Sequence, residues 1–432
     1  MEDPRLLVVA LVLLAVALLS ARLEKWHVSV PAAVVAIGVL FAALTPGSAD
    51  ISVASPVVKT VAEVTLALML FHDASRIGLT DLRGQSKMPA RLLGIGLPLM
   101  IVLGTLVGYL LMPSLGWIGA ALAATMLAPT DAALGEQVVT DERLPGWLRQ
   151  GINVESGLND GLSVPIFLVL IGFATTQTWS WGVLGQQMVW LIGMGVVAGV
   201  IFGGGGGLLA RYALKRETML DSWVRYGVLG IALACYVGAA SVGGSGFIGA
   251  FVGGLVFGAA FSGETGPEAM GFVSHLGLVM DTVSFLLLGA VVVPLALPLL
   301  SWQIVLYVVL SLLVIRTVSV VVALLGTGAA WPTQLFIGWF GPRGLATVVF
   351  TIMLLEAKVA NKGLIATIAV TGIVMSVYAH GFSAPWLAGL YAQWYEGYQA
   401  AGGDRPEHKD VAQPPSRRAA EAFARARHRV RG

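Results

Sequence analysis

The stretch Asn153-Val154-Glu155-Ser156-Gly157-Leu158-Asn159-Asp160-Gly161 sets two carboxylates, two amides and a hydroxyl between apolar runs long enough to sit in a bilayer. If the segment is helical, residues four apart stack on one face. Glu155 then aligns with Asn159 and Ser156 with Asp160, in two rows about 100° apart around the axis. Gly157 and Gly161 keep the neighbourhood free of bulk. Polar and ionisable residues inside a membrane helix are costly to keep, and they mark functional positions.

The rest of the composition agrees with a bilayer. Of 432 residues, 57% are hydrophobic and 12% charged, half the charge of a soluble chain, which carries roughly 25%. The apolar residues come in blocks of about 20, each able to cross ~30 Å of hydrocarbon. A soluble globular protein is excluded, and the expected fold is an all-α polytopic membrane protein. The 54 glycines suit close helix packing. The single cysteine, Cys235, precludes an intramolecular disulfide and reads as a small buried side chain. The first apolar block, 6–19, follows Glu2, Asp3 and Arg5 and lacks a small-residue cleavage pattern, so it reads as a retained helix and not a signal peptide.

Thirteen apolar spans follow one another, at 5–21, 28–44, 57–73, 89–112, 116–139, 150–175, 183–210, 223–241, 246–262, 270–293, 302–325, 333–356 and 362–392. Arg22 and Lys25 follow the first span, and Arg76, Arg83 and Lys87 the third. Arg143 and Arg149 follow the fifth, and Arg211, Lys215 and Arg216 the seventh, while the connections after spans two, four, six, eight and ten have no Lys or Arg. The positive-inside rule makes the odd connections cytoplasmic. The N-terminus is then outside and the C-terminus inside; Lys358 and Lys362 run against the pattern. The chain divides at 1–403, the membrane domain, and 404–432, a basic tail with eight Lys and Arg against four acids. The tail reads as a solvated cytoplasmic segment, with attraction to anionic lipid as the alternative.

Two spans are interrupted by helix breakers: the fifth at Ala128-Pro129-Thr130-Asp131, and the twelfth at Gly338-Trp339-Phe340-Gly341-Pro342-Arg343-Gly344. They lie seven spans apart, and an odd offset means opposite orientation. Paired broken helices in inverted repeats point to a transporter binding site, and the span between five and seven carries Glu155 and Asp160.

Seven ionisable residues fall well inside spans: Glu63, Asp131, Glu155, Asp160, Asp281, Arg316 and Arg343. Each costs roughly 2.5–3.5 kcal/mol at a bilayer centre, so five acids against two bases call for protons or metal cations. Asp160 is the expected ion carrier, exchanging a proton for a competing cation, with Thr130 and Ser156 adding neutral oxygens for a hard monovalent ion. Asp131 either caps the half-helix after Pro129 or contacts the ion. Glu155 reads as the partner of an arginine. Arg343, at the second break, is the favoured one and Arg316 the alternative. Glu63 and Asp281 read as cavity-lining or structural groups, and His72, His275 and His380 as ordinary polar residues. The run 203–207 lacks the strand, Lys and Ser/Thr of a phosphate loop, so it reads as a packing surface.

At these residues the sequence resembles the sodium/proton antiporters of the cation/proton antiporter-1 family. The resemblance is carried by Thr130-Asp131, by Glu155-Ser156-Gly157-Leu158-Asn159-Asp160 and by Arg343-Gly344, with weaker echoes at Arg316-Thr317-Val318 and Gly244-Ser245-Gly246-Phe247. It implies a homodimer in which a substrate-carrying core moves against a dimerisation domain. It also implies ion contacts from Asp160, Ser156 and Thr130, and a structural Glu155–Arg343 pair. Asn159 stands where electrogenic relatives carry a second aspartate, which favours electroneutral exchange. Ala132, where proline is common, and Phe71-His72-Asp73-Ala74, where a glutamate and glycine are usual, are departures.

The expected function is therefore exchange of Na⁺, with Li⁺ or K⁺ as variants, for H⁺ by alternating access. No enzyme activity, cofactor or nucleic-acid partner is expected. The expected surroundings are the lipids of a prokaryotic inner membrane. An intramembrane serine protease is the competing reading, with Ser245 in Gly243-Gly244-Ser245-Gly246 as nucleophile and His275 or His380 as base. A cation channel is the other.

Overall fold

The computed structural model describes residues 4–26, 28–44, 56–75, 87–131, 134–175, 181–261, 266–400 and 406–408, and every regular element among them is a helix. The chain opens with α1 (Pro4–Lys25), α2 (Val30–Leu44) and α3 (Pro56–Ser75). α4 (Lys87–Leu111) contains a π-helical turn at Leu92–Gly96. α5 (Gly116–Met126) stops at the first break, and a short α6 (Glu136–Thr140) follows it. α7 (Gly146–Thr175) carries the polar stretch. α8 joins Trp181–Gly199 to Gly205–Lys215 through a π turn. Next come α9 (Asp221–Ser241), α10 (Gly246–Ala260) and α11, which begins as Gly266–Leu287 and continues to Leu299. α12 (Trp302–Leu324) has its own π turn at Ser311–Ile315. α13 (Trp331–Trp339) and α14 (Leu345–Glu356) flank the second break, and α15 (Lys362–Ala400) closes the bundle.

All thirteen apolar spans coincide with helical segments, and both expected breaks are present. Among the described residues, seven helices are long and apolar enough to cross a membrane. Large apolar side chains face outward, as Leu11, Leu14 and Leu18 do on α1 and Val189 and Leu209 on α8. The buried set instead includes Thr130, Glu155, Asn159, Arg316 and Arg343. Charged and polar groups kept inside an apolar core, behind an apolar exterior, fit hydrocarbon surroundings.

Glycines decide how closely the helices approach. Gly254 and Gly258 of α10 lie four apart on one face, and a Cβ at either would overlap the backbone of Phe71 or Ser75 on α3. On another face Gly249 and Gly253 press on Cys235 of α9, which is fully buried as expected. This crowding delivers the end of α3 to α7, where a Cβ on Gly157 would stand 3.4 Å from the Cβ of Asp73.

Two charge features find local causes. Lys362, which runs against the charge alternation, donates to Leu355 O at 2.5 Å and Ala357 O at 3.3 Å. It caps the carbonyl end of α14, where a cation is favoured. Most of the expected basic tail lies outside the described residues. Pro406–His408 is described, with Pro406 and His408 partly exposed and Glu407 between them buried instead of solvated. Glu407 is 1% exposed and accepts hydrogen bonds from the Ala330 N–H at 2.7 Å and the Thr333 hydroxyl at 2.8 Å.

Candidate functional site

The two breaks cross, and each completes the other's backbone. A helix that stops inside a bilayer leaves carbonyls or N–H groups without partners. Arg343 Nη1 donates to Ala128 O at 2.6 Å and Pro129 O at 3.1 Å, and Thr347 Oγ1 donates to Met126 O at 2.8 Å. These acceptors cluster at the C-terminal end of α5, so the guanidinium sits at the negative end of that helix dipole. In return, the Asp131 N–H donates to Pro342 O at 2.7 Å, and the Asp131 carboxylate accepts from the Leu345 N–H at 3.1 Å. The acid thus stands at the positive end of α14. Its other oxygen accepts from the Leu134 N–H at 3.2 Å. Gly344 makes room for this contact, because a Cβ there would overlap the carboxylate of Asp131.

α7 runs past the crossing with its polar rows turned inward. Phe167, two turns beyond Asp160, stacks on Phe350 of α14 with ring centroids 4.3 Å apart. Asn159 is fully buried, and its Nδ2 reaches Ala128 O at 3.1 Å and both Thr130 Oγ1 and Glu155 Oε1 at 3.3 Å; its Oδ1 accepts from Ser163. Thr130 Oγ1 donates to Ser156 Oγ at 3.2 Å. Glu155 and Arg316 form a two-point ion pair at 3.3 and 3.2 Å, and Arg316 also donates to Phe340 O at 3.2 Å. The π turn Ser311–Ile315 immediately precedes Arg316, and such an extra residue re-aims a helix face. Gly341 clears its path, since a Cβ there would strike the guanidinium.

The structure corrects one expectation directly. Glu155 pairs with Arg316, the alternative partner, and not with Arg343. The carbonyls at the end of α5 claim Arg343 first, although Arg343 stays within electrostatic reach of Glu155 and Asp160. Asp131 does bond within its own break at Leu134, but its second oxygen caps the half-helix of the opposite break. The protease reading loses its parts. Ser245 is the N-cap of α10, accepting from the Ile248 N–H at 3.4 Å, and His380 is held between Ser376 and Trp339 O. The side chain of His275 lies outside the described residues.

Asp160 differs from these engaged groups. Its Oδ1 is buried and has no hydrogen-bond partner among the described residues. Asp131, Asp73, Glu155 and Arg343 all lie within electrostatic reach of it. Asp73, whose Oδ1 is 2.9 Å from His72 Nδ1, joins the pocket without having been singled out. It sits at the very limit of its apolar span, so a count confined to span interiors passes over it. Among the described residues no cluster of three or more His, Cys, Asp or Glu is shaped to hold a metal. The donor set is mixed: one carboxylate without a partner, beside hydroxyls and broken-helix carbonyls.

Comparison with known proteins agrees with this architecture. A potassium/proton antiporter, NhaP, from Alkalimonas amylolytica is 24% identical over 344 residues, 76% of this chain. The match covers only 57% of that relative's length. The low-affinity sodium/proton antiporter NhaS1 of Synechocystis is 35% identical over 144 residues, 32% of this chain and 25% of its own. The solved structure of the sodium proton antiporter MjNhaP1 from Methanocaldococcus jannaschii superposes with a TM-score of 0.73 at 21% identity, covering 89% of this chain and 97% of that one. It therefore has the same fold. Residues 6–389 match the transmembrane sodium/hydrogen exchanger family, and the chain belongs to that family.

Proposed function

We propose that the chain exchanges a monovalent cation for H⁺ by alternating access, with Na⁺ as the first candidate, and that Asp160 carries both in turn. One observation carries this reading: among the described residues at the broken-helix crossing, Asp160 is the acid with a buried oxygen that has no hydrogen-bond partner. Its neighbours are committed, Glu155 to Arg316, Asn159 to three acceptors, and Asp131 to two backbone N–H groups. Thr130 and Ser156, hydrogen-bonded to each other, supply neutral oxygens, and Asp73 adds a carboxylate within reach. Protonated, Asp160 crosses without a cation; ionised, it takes one. The named relatives include both sodium/proton and potassium/proton antiporters, so K⁺ is the specific second candidate.

The same reading places residues 1–403 as the transport domain of a homodimer in a prokaryotic inner membrane, in contact with its lipids, with the N-terminus outside and the basic tail cytoplasmic. Purified protein in liposomes, with internal pH followed under imposed Na⁺, Li⁺ or K⁺ gradients, tests the activity. Wild type should move protons against at least one of these ions, and Asp160→Asn should abolish it while remaining folded. Robust ion-driven proton movement in that variant would assign the carrier role elsewhere.

A further inference from the structure

One intramembrane acid has no task in this account. Glu63 accepts from the Tyr236 hydroxyl at 3.0 Å and lies 4.0 Å from Lys59; Glu155 and Asp131 are engaged as described. Within the described spans, the carboxylates with a buried oxygen lacking any hydrogen-bond partner are Asp160 and Asp281. Asp281 is only 5% exposed. A structural carboxyl buried that deeply is expected to have both oxygens satisfied, and Asp281 has the same mark as the carrier itself.

Packing fixes its position. Gly277, one turn earlier on α11, faces Met69 of α3, and Ser284, on the next turn, lines a small cavity with Ala62. The two helices therefore run antiparallel. Asp281 stands opposite α3 about midway between Asp73 and the Lys59–Glu356 ion pair at the other end. The charges that bear on it are those of Asp131 and Asp73. Of the other helices packed on α11, α2 has no ionisable residue, and α14 has only Glu356, which Lys59 holds. α1 carries its charges at its ends, and Tyr236 of α9 is turned to Glu63. His275 shares the helix, and its side chain lies outside the described residues.

We propose that Asp281 is a second proton-binding carboxylate of the transport path, relaying H⁺ between the Asp160 pocket and the end of the bundle marked by Lys59 and Glu356. The proposal rests on the antiport reading above. The step is a proton transfer alone: the Asp281 carboxyl gives H⁺ to Asp73, whose charge bears on both Asp281 and Asp160; Asp73 passes it to the Asp160 carboxylate, Asp281 regains one from solvent, and no other bond changes. Movement of Na⁺ in exchange for Na⁺ needs Asp160 only. Movement coupled to H⁺ needs both acids.

The test compares two transport modes in proteoliposomes of the full chain, radiolabelled Na⁺ against unlabelled Na⁺ at equal pH, and Na⁺ against H⁺. In Asp281→Asn the first should persist, and the second should fall about tenfold or more. Asp281→Glu should restore coupling with a displaced pH profile. Loss of neither mode, or equal loss of both, overturns the proposal. If Asp281→Asn does not fold, infrared spectroscopy decides. A carboxyl band that responds to H⁺ should survive Asp160→Asn and move in Asp281→Glu; no such band also overturns it. Failure of the antiport reading is distinct, because wild type itself would then show no cation-driven proton movement.

Discussion

Arg316 holds both oxygens of Glu155, at 3.3 and 3.2 Å, from a helix 161 positions further along the chain. Neither side chain is more than 5% exposed. Such a pair is expensive to desolvate, and removing one partner strands a buried charge at a cost of about 3–5 kcal/mol. Glu155→Ala and Arg316→Ala should each lower thermal stability in detergent, and the double variant should lose clearly less than the sum. Glu155→Ala combined with Arg343→Ala should be closer to additive, because Arg343 is held by carbonyls. Strong coupling in the second cycle and none in the first would reassign the pair.

Asp131 offers a cap to Leu345 across the crossing. Loss of a capping acceptor costs about 1 kcal/mol, and the charge at a helix N-terminus adds up to ~2 kcal/mol in partly buried settings. Asp131→Ala should therefore destabilise more than Asp131→Asn, which keeps one of the two acceptor oxygens and loses the other together with the charge. Equal melting temperatures for the two variants would show that the cap contributes nothing.

A single methyl group should be decisive at Gly344. Its Cβ would overlap the Asp131 carboxylate, so Gly344→Ala must push the two breaks apart. Gly94→Ala is the control, since nothing lies within 4 Å of a Cβ there. Transport should be lost or strongly reduced in the first variant and retained in the second. Normal exchange by Gly344→Ala would mean that the close crossing is not needed.

With Glu155 locked to Arg316 and Asn159 unable to ionise, exchange centred on Asp160 moves equal charge in both directions. Turnover should be insensitive to a clamped membrane potential, and a proton relay at Asp281 does not alter that balance. Protons and cations compete for one carboxylate, so apparent cation affinity should fall as pH drops. Rates that depend steeply on potential, or an affinity that improves at low pH, would refute the single-carrier scheme.

The membrane orientation is open to a simple labelling test. Cys235 is fully buried, so an Asp410→Cys variant carries one accessible thiol. An impermeant reagent applied to intact cells should leave it unlabelled until the membrane is opened. Prompt labelling from outside would reverse the assigned topology.

The sequence by itself determined the helical spans, the two breaks and the polar run on α7. Hydrophobicity over about 20 residues, Pro129 and Pro342, and the spacing of Glu155, Ser156, Asn159 and Asp160 are local properties, read without knowing any contact. Only the tertiary structure decided who meets whom. Arg316 and Arg343 were both plausible partners for Glu155, and two facts about distant segments separated them. The π turn ahead of Arg316 carries its guanidinium to Glu155, while the unpaired carbonyls ending α5 draw Arg343 to themselves. Asp281 follows the same logic: its place inside a span was legible, but that one of its oxygens lacks a hydrogen-bond partner among the described residues was not. A carboxylate's role in a membrane depends on which of its oxygens are satisfied by residues far away in sequence, and that is a property of the packed bundle alone.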